Sequence, residues 1–427
     1  MRNTLPAMSY VQTAFVSLAG QVGVGVEGSN ATVQGDDQWH TNGANNLALP
    51  PMDPYGPTTR WFDVFSRGTN SCTWQASPWA PWVRLSQYNG TVGPGNGTDS
   101  RVFVSIDWAS APKGPNTTTI NINITTPCQS FDKYGYKAPM VQVPVQLRSV
   151  PANFTKGFVE SDGHVSIEGA HYQAIAPPAP LSNSTASKRY LGGRDKRDGN
   201  TSSVTYHTFQ NYGRISSGVG LWPQNTDKLT VNTAPSLEYS MYLFTNTTAA
   251  NVTVFISPSQ NYLGDTDPLQ YGIALYPTGA NPSNPTIVRP VGNSIGANLP
   301  DGWGYAVADG VWGRHGNYTT SSFKVPQEGA YTLRIWALLP SIIVQKIVVD
   351  LGGVRPSYLG PPESYLVSRD QIGGYNQTSF EGDDGTVAVS AASVQASNNS
   401  GARIGGTYVL ASVAVALGVG ALGARMM

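Results

Sequence analysis

The chain has 427 residues, with 26 basic and 26 acidic side chains, so its formal net charge is zero and only 12% of residues are charged. That balance excludes a nucleic-acid binder, which needs a basic surface to displace counterions from phosphates. A 40% apolar and 10% aromatic content excludes a charged disordered chain, and the length calls for about two or three domains.

Residues 1–34 are predicted to be a helical remnant of an upstream domain. Met8, Val11, Phe15 and Leu18 recur at helical spacing. Asn3 or Thr4 can cap this helix, Pro6 suits its first turn and Gly20 can end it. From about residue 35 to 150 the period becomes two, which predicts an antiparallel β-sandwich. Val102, Val104, Ile106 and Trp108 share one face, and Ile120, Ile122 and Ile124 alternate with Asn121 and Asn123. Pro144, within the Val141 to Leu147 alternation, places that strand on a sheet edge. A second β domain is expected over 151–362. Its strands are read at His164–Ile167, Leu237–Phe244, Val252–Ile256, Tyr271–Tyr276, Tyr331–Trp336 and Ile342–Asp350, the last apolar enough to be buried on both faces. Between them Pro177 to Asn200 reads as a surface loop, with its local cations solvated. Residues 363–406 read as a low-complexity stalk and 407–427 as a hydrophobic tail. The fold class is mainly β.

The addressing signals point outward from the cell. Sequons occur at Asn30, Asn89, Asn96, Asn116, Asn123, Asn153, Asn183, Asn200, Asn246, Asn251, Asn317, Asn376 and Asn398. The chain's two cysteines, Cys72 and Cys128, either form a single disulfide in an oxidising compartment or remain separate thiols. Small polar residues followed by the apolar run from Tyr408 to Leu422 resemble a GPI-anchor signal, with attachment near Asn398, Asn399 or Ser400. A transmembrane helix is the rival reading. Met1 to Pro6 does not open a good signal peptide, so an extracellular, surface-anchored location requires a leader supplied upstream.

Catalytic patterns are absent from the sequence: there is no Gly-x-Ser-x-Gly elbow, no phosphate loop and no metal spacing among His40, His164, His171, His207 and His315. Asp36 and Asp37 are adjacent and point to opposite faces of a strand, which does not make a catalytic pair. No cofactor is called for. The ten tryptophans are a better lead, because aromatic faces stack on the C–H faces of sugar rings. Trp61 and Trp108 read as core, whereas Trp222, Trp303, Tyr305 and Trp312 lie near turn signals and are the carbohydrate-contact candidates.

Four stretches carry a family resemblance: Leu49–Gly68, Val102–Trp108, Phe158–Tyr172 and Lys346–Ser364. Together they resemble the C-terminal part of glycoside hydrolase family 115, α-glucuronidases that remove glucuronic acid or its 4-O-methyl form from xylan side branches by an inverting mechanism, and the parent enzyme is expected to be of fungal type. The resemblance implies that the catalytic carboxylates belong to an upstream barrel, that this chain is a fragment inactive alone, and that xylan or glucuronoxylan and the missing catalytic domain are its partners. An independent cell-surface glycan-binding module is the alternative. The second β domain is similar to jelly-roll carbohydrate-binding modules, some of which hold calcium through a Glu-x-Glu pair and a distant acid. Here Ala170 replaces the second Glu, which leaves Glu168 and Asp350 as a weak metal pair.

Overall fold

The computed structural model describes residues 22–29, 47–95, 97–114, 116–128, 139–178, 204–280, 282, 284–293, 299–313 and 319–367. They form two consecutive pairs of sheets, each pair closed over its own core.

The first pair contains β1 (Val22–Val26), β2 (Thr59–Ser66), β3 (Cys72–Pro78), β4 (Val83–Leu85), β5 (Asn89–Val92), β6 (Ser100–Ile106), β7 (Thr117–Thr125) and β8 (Met140–Gln146). One sheet runs β1-β2-β6-β4 and the other β5-β3-β7-β8. Alternation decides the faces: Phe62, Val64, Val102 and Val104 from one sheet meet Trp74, Ile122, Ile124 and Val143 from the other. Each fully buried side chain of this kind stabilises the fold by roughly 1.5–3 kcal/mol. β8 is the edge that Pro144 requires, and the Pro144 carbonyl accepts the Met52 N–H from outside the sheet.

Two expectations are corrected here. Val22–Val26 falls within the stretch read as helical remnant, yet it pairs antiparallel with β2, Val22 opposite Ser66 and Val26 opposite Phe62. Its alternating Val and Gly bury the valines, while a Cβ at Gly23 would lie 2.6 Å from the Phe65 ring. The helix expected around Met8 to Leu18 lies outside the described residues. Trp61, read as core, instead faces outward beside Asp63, because Arg60 and Phe62 take the inward positions; the Arg101 guanidinium covers its ring at 4.0 Å.

The second pair contains β9 (Phe158–Val159), β10 (His164–Glu168), β11 (Ala174–Ala176), β12 (Thr205–Gln210), β13 (Ser217–Trp222), β14 (Ser236–Leu243), β15 (Thr247–Ile256), β16 (Tyr271–Pro277), β17 (Thr286–Val288), α1 (Trp303–Asp309), β18 (Thr320–Val325), β19 (Gly329–Ala337) and β20 (Val344–Asp350). One sheet runs β12-β13-β20-β15-β18 with β10 also on β20; the other runs β11-β14-β19-β16-β17 with β9 parallel to β14. β20 is buried along almost its whole length, as its apolar run predicted. Its two buried polar residues, Gln345 and Lys346, are both hydrogen-bonded. Gln345 donates to Ser257 Oγ and to the Gly310 carbonyl and accepts from the Arg214 N–H, while Lys346 Nζ donates to the Leu359 and Pro361 carbonyls. Burial lowers the pKa of Lys346.

Buried ions join the two pairs of sheets. Arg60 Nη1 donates to Glu27 Oε1 at 2.9 Å and Nη2 to Asp162 Oδ2 at 2.6 Å. Arg148 donates to Asp53, which also accepts from Ser161 Oγ and the Tyr55 N–H. Glu160, wholly buried, accepts from the Phe244 and Thr245 N–H groups and from Thr245 Oγ1. Each carboxylate is thus hydrogen-bonded, the condition under which buried charge is tolerated.

Candidate functional site

Among the aromatic candidates, Trp222 occupies the most developed surroundings. It ends β13, which pairs with β12 so that Thr205 opposes Trp222, His207 opposes Gly220 and Phe209 opposes Gly218. Tyr206, Val219 and Leu221 enter the core, so strand alternation turns His207, Phe209, Gly218, Gly220 and Trp222 to the other face. Tyr206 anchors this arrangement: its hydroxyl donates to the Pro235 carbonyl and accepts the Ala337 N–H, and complete burial raises its pKa.

The result is a row of rings. Trp222 lies 5.3 Å from His207, His207 lies 5.0 Å from Phe209, and Phe209 lies 5.9 Å from Tyr212. The two glycines beneath make the row possible. A Cβ on Gly218 would sit 3.1 Å from Tyr212 and 2.9 Å from Ile343, and one on Gly220 would sit 3.5 Å from Phe209 and 3.1 Å from Ile343. Trp222 is 47% exposed and His207 is exposed, so a broad apolar ring and an adjoining polar one face water together. Trp222 was legible as a candidate; His207, Phe209 and Tyr212 were missed. The available signal was the alternation in Thr205–Gln210 and Ser217–Trp222 on either side of a turn.

The other three candidates are placed differently. α1 lies between Gly302 and Gly310, both left-handed, and carries Trp303 half-buried and Tyr305 at 64% exposure. Trp312 is a core residue: it is 3% exposed, its Nε1 donates to the Ser259 carbonyl at 3.2 Å, and its backbone bridges to Ile256. That burial removes it as a sugar contact. Its ring packs 6.1 Å from that of Trp303.

Glu168 and Asp350 cannot share an ion. They sit at opposite ends of the β10–β20 pairing, where Glu168 opposes Lys346 and His164 opposes Asp350. Four residues of strand separate them, about 13 Å at strand rise. Asp350 Oδ1 instead accepts the Gly352 and Val354 N–H groups. Glu168 has its pKa raised by burial and by Glu363, which also bonds His171 Nδ1 at 2.8 Å. Among the described residues no group of three His, Cys, Asp or Glu is placed to hold a metal.

Cys72 and Cys128 are neighbours. The β3–β7 register sets Gln75 opposite Thr125 and Ala76 opposite Ile124, a progression that carries Cys72 toward position 128. Both are free thiols, Cys72 buried and Cys128 half-buried. Burial, with the adjoining Cys128 thiol, pushes the Cys72 pKa up to about 12. Of the sequons, Asn89, Asn116, Asn153, Asn246 and Asn251 are exposed and Asn123 is half-buried. Asn30, Asn96, Asn183, Asn200, Asn317, Asn376 and Asn398 lie outside the described residues, as do Asn399, Ser400 and the apolar tail. No helix among the described residues is long and apolar enough to cross a membrane.

Residues 157–363 match the model of the glycosyl hydrolase family 115 C-terminal domain. No curated protein matches the chain. Among solved structures, a family GH115 4-O-methyl-α-glucuronidase with specificity for decorated arabinogalactans, BtGH115A, is 16% identical, with a TM-score of 0.24 over 38% of this chain and 19% of that one. A GH26-CBM35 β-(1,4)-mannanase of Podospora anserina is 11% identical, with a TM-score of 0.22 over 46% of this chain and 29% of that one. A two-domain protein of unknown function from Bacteroides fragilis is 9% identical, with a TM-score of 0.25 over 80% of this chain and 100% of that one. The chain therefore spans about a fifth of the length of the glucuronidase it matches.

Proposed function

We propose that the chain is the C-terminal accessory β region of a glycoside hydrolase that removes uronic acid branches from xylan, and that it holds glycan rather than cleaving it. The family 115 C-terminal match over residues 157–363 carries this reading. The aromatic row ending at Trp222 supplies the holding surface: sugar C–H faces lie on the indole, and His207 is placed to meet hydroxyls at its rim. Catalysis belongs to a separate domain that supplies the carboxylates. A cell-surface setting suits the six described sequons, none of them buried.

Retention on glucuronoxylan in affinity electrophoresis tests the reading, with Trp222→Ala as the comparison. Retention by the parent chain and its weakening in Trp222→Ala is the expected result. Equal migration of both proteins with and without polysaccharide would overturn it. Release of 4-O-methylglucuronic acid from glucuronoxylan by this chain alone would overturn the non-catalytic role. The exposure of Trp222 also favours a second reading, an independent glycan-binding module. This is distinguished by whether retention is as strong without any catalytic domain added.

A further inference from the structure

Where the two sandwiches meet, they enclose a cleft of about 520 Å³, a volume suited to a small ligand. Pro54, Tyr55 and Pro57 line it from the first sandwich, and Pro361, Pro362 and Tyr365 from the second. Its shape is fixed. The Tyr55 hydroxyl accepts the Val150 N–H at 2.8 Å, and the Tyr55 ring packs 5.5 Å from that of Tyr365 and 6.0 Å from that of Phe244. The ionic joints formed by Arg60, Asp53 and Arg148 hold the sandwiches together beside it.

Two carboxylates, Asp162 and Glu363, line the cleft with Arg60 and Arg355, and Glu363 is taken up by the Glu168 N–H and His171 Nδ1. The Asp162 carboxylate is engaged by Arg60, and Glu27 Oε1 is already bonded to the same guanidinium. The Arg60 guanidinium is used up by Glu27, the Pro51 carbonyl and Asp162, which leaves Arg355 as the cation of the lining open to a ligand. Arg355 is 59% exposed in its side chain; its closest charged neighbour is Glu27, at 4.0 Å, and its guanidinium makes no hydrogen bond among the described residues. An open guanidinium fork binds a planar carboxylate through two parallel hydrogen bonds. Flat proline and tyrosine walls suit the C–H faces of a pyranose ring, and the volume suits a monosaccharide or disaccharide.

We propose that this cleft binds a carboxylated sugar, a uronic acid residue, with its carboxylate on Arg355 and its ring between the proline and tyrosine walls. The choice of a sugar rests on the glycan reading above; the choice of an acid rests on Arg355. This site is separate from the row at Trp222, so each can fail alone.

Isothermal titration of the full chain with glucuronic acid, glucose and inorganic phosphate tests it. Glucuronic acid is expected to bind saturably, and glucose and phosphate at least roughly tenfold more weakly. Arg355→Gln, exposed enough to fold normally, should weaken glucuronic acid by a similar factor and leave retention on xylan without uronic acid branches unchanged. Trp222→Ala should do the reverse. Equal affinity for glucose would remove the role of the carboxylate. Equal affinity for phosphate would reduce the cleft to a general anion site. Unchanged binding in Arg355→Gln, or loss of glucuronic acid binding in Trp222→Ala, would place the sugar elsewhere.

Discussion

Arg60 Nη2 and Asp162 Oδ2 stand 2.6 Å apart although 102 residues of chain separate them. The pair spans the two sandwiches, with 5% of the Arg60 side chain and 22% of the Asp162 side chain exposed. Removing one partner of a buried pair strands the other charge, at about 3–5 kcal/mol. Asp162 and Glu27 can recover some water, so Arg60→Ala is expected near the lower end, about 3 kcal/mol. Urea unfolding of parent and variant measures it. A change below about 1 kcal/mol would show that the joint adds little.

The Cys72 and Cys128 thiols are close enough to interact, and oxidation is expected to join them. Closing a loop of this length stabilises a domain by about 2–4 kcal/mol. Thermal unfolding with and without reductant checks this, with Cys128→Ser as the control that cannot close. An identical midpoint for the oxidised and reduced parent, with both thiols still titratable after oxidation, would count against it.

In the reduced chain Cys72 titrates at about 12, against about 8.5 for an unperturbed thiol. The folded state therefore keeps a proton that the unfolded state releases, so this stabilisation is complete below the unfolded value and is lost as pH rises through the folded one. Burial of Tyr206, Tyr239 and Tyr271 raises their pKa values as well and works in the same direction above about pH 10. Unfolding free energy should fall steadily from pH 8.5 upward, and less steeply at the start of that range in Cys72→Ser. A flat profile to pH 11 is the contrary result.

Gly353 admits no side chain. A Cβ there would lie 1.7 Å from the Asp162 carbonyl oxygen, and backbone cannot yield as a side-chain tip can. Gly353→Ala is expected to cost about 3 kcal/mol or more, since it drives the 353–365 segment off the turn that carries Asp162. Ala at Gly292 is the comparison for an added methyl without crowding, because nothing lies within 4 Å of its Cβ position and, like Gly353, it is not left-handed. Similar losses in both variants would show that crowding is not the cause.

Most strands were legible because a period of two is local. Val102, Val104 and Ile106, and the run ending at Asp350, show their buried faces within a few residues. β1 was not legible, because Gly23 and Gly25 dilute the strand signal of Val22, Val24 and Val26, and its pairing partner lies beyond residue 58. The site was half legible. Trp222 stood out beside turn residues, but only the pairing of β12 with β13 aligns His207 and Phe209 with it. Trp312 looked the same in sequence as Trp222, since turn signals do not reveal that the chain folds back to bridge Ile256. The cleft was not legible at all: Tyr55, Arg60, Asp162 and Arg355 become neighbours only after two separately folded cores meet.

Glu27 closes the first strand and its carboxylate reaches Arg60, with Arg355 a little farther off. The boundary at residue 35 suggested by periodicity is therefore a poor place to cut. A chain trimmed there would expose the flank of β2 as a template for self-association and leave Arg60 with Asp162 as its one carboxylate partner. Recombinant versions that retain residues from Val22 onward should stay dispersed at concentrations where those starting at residue 35 precipitate.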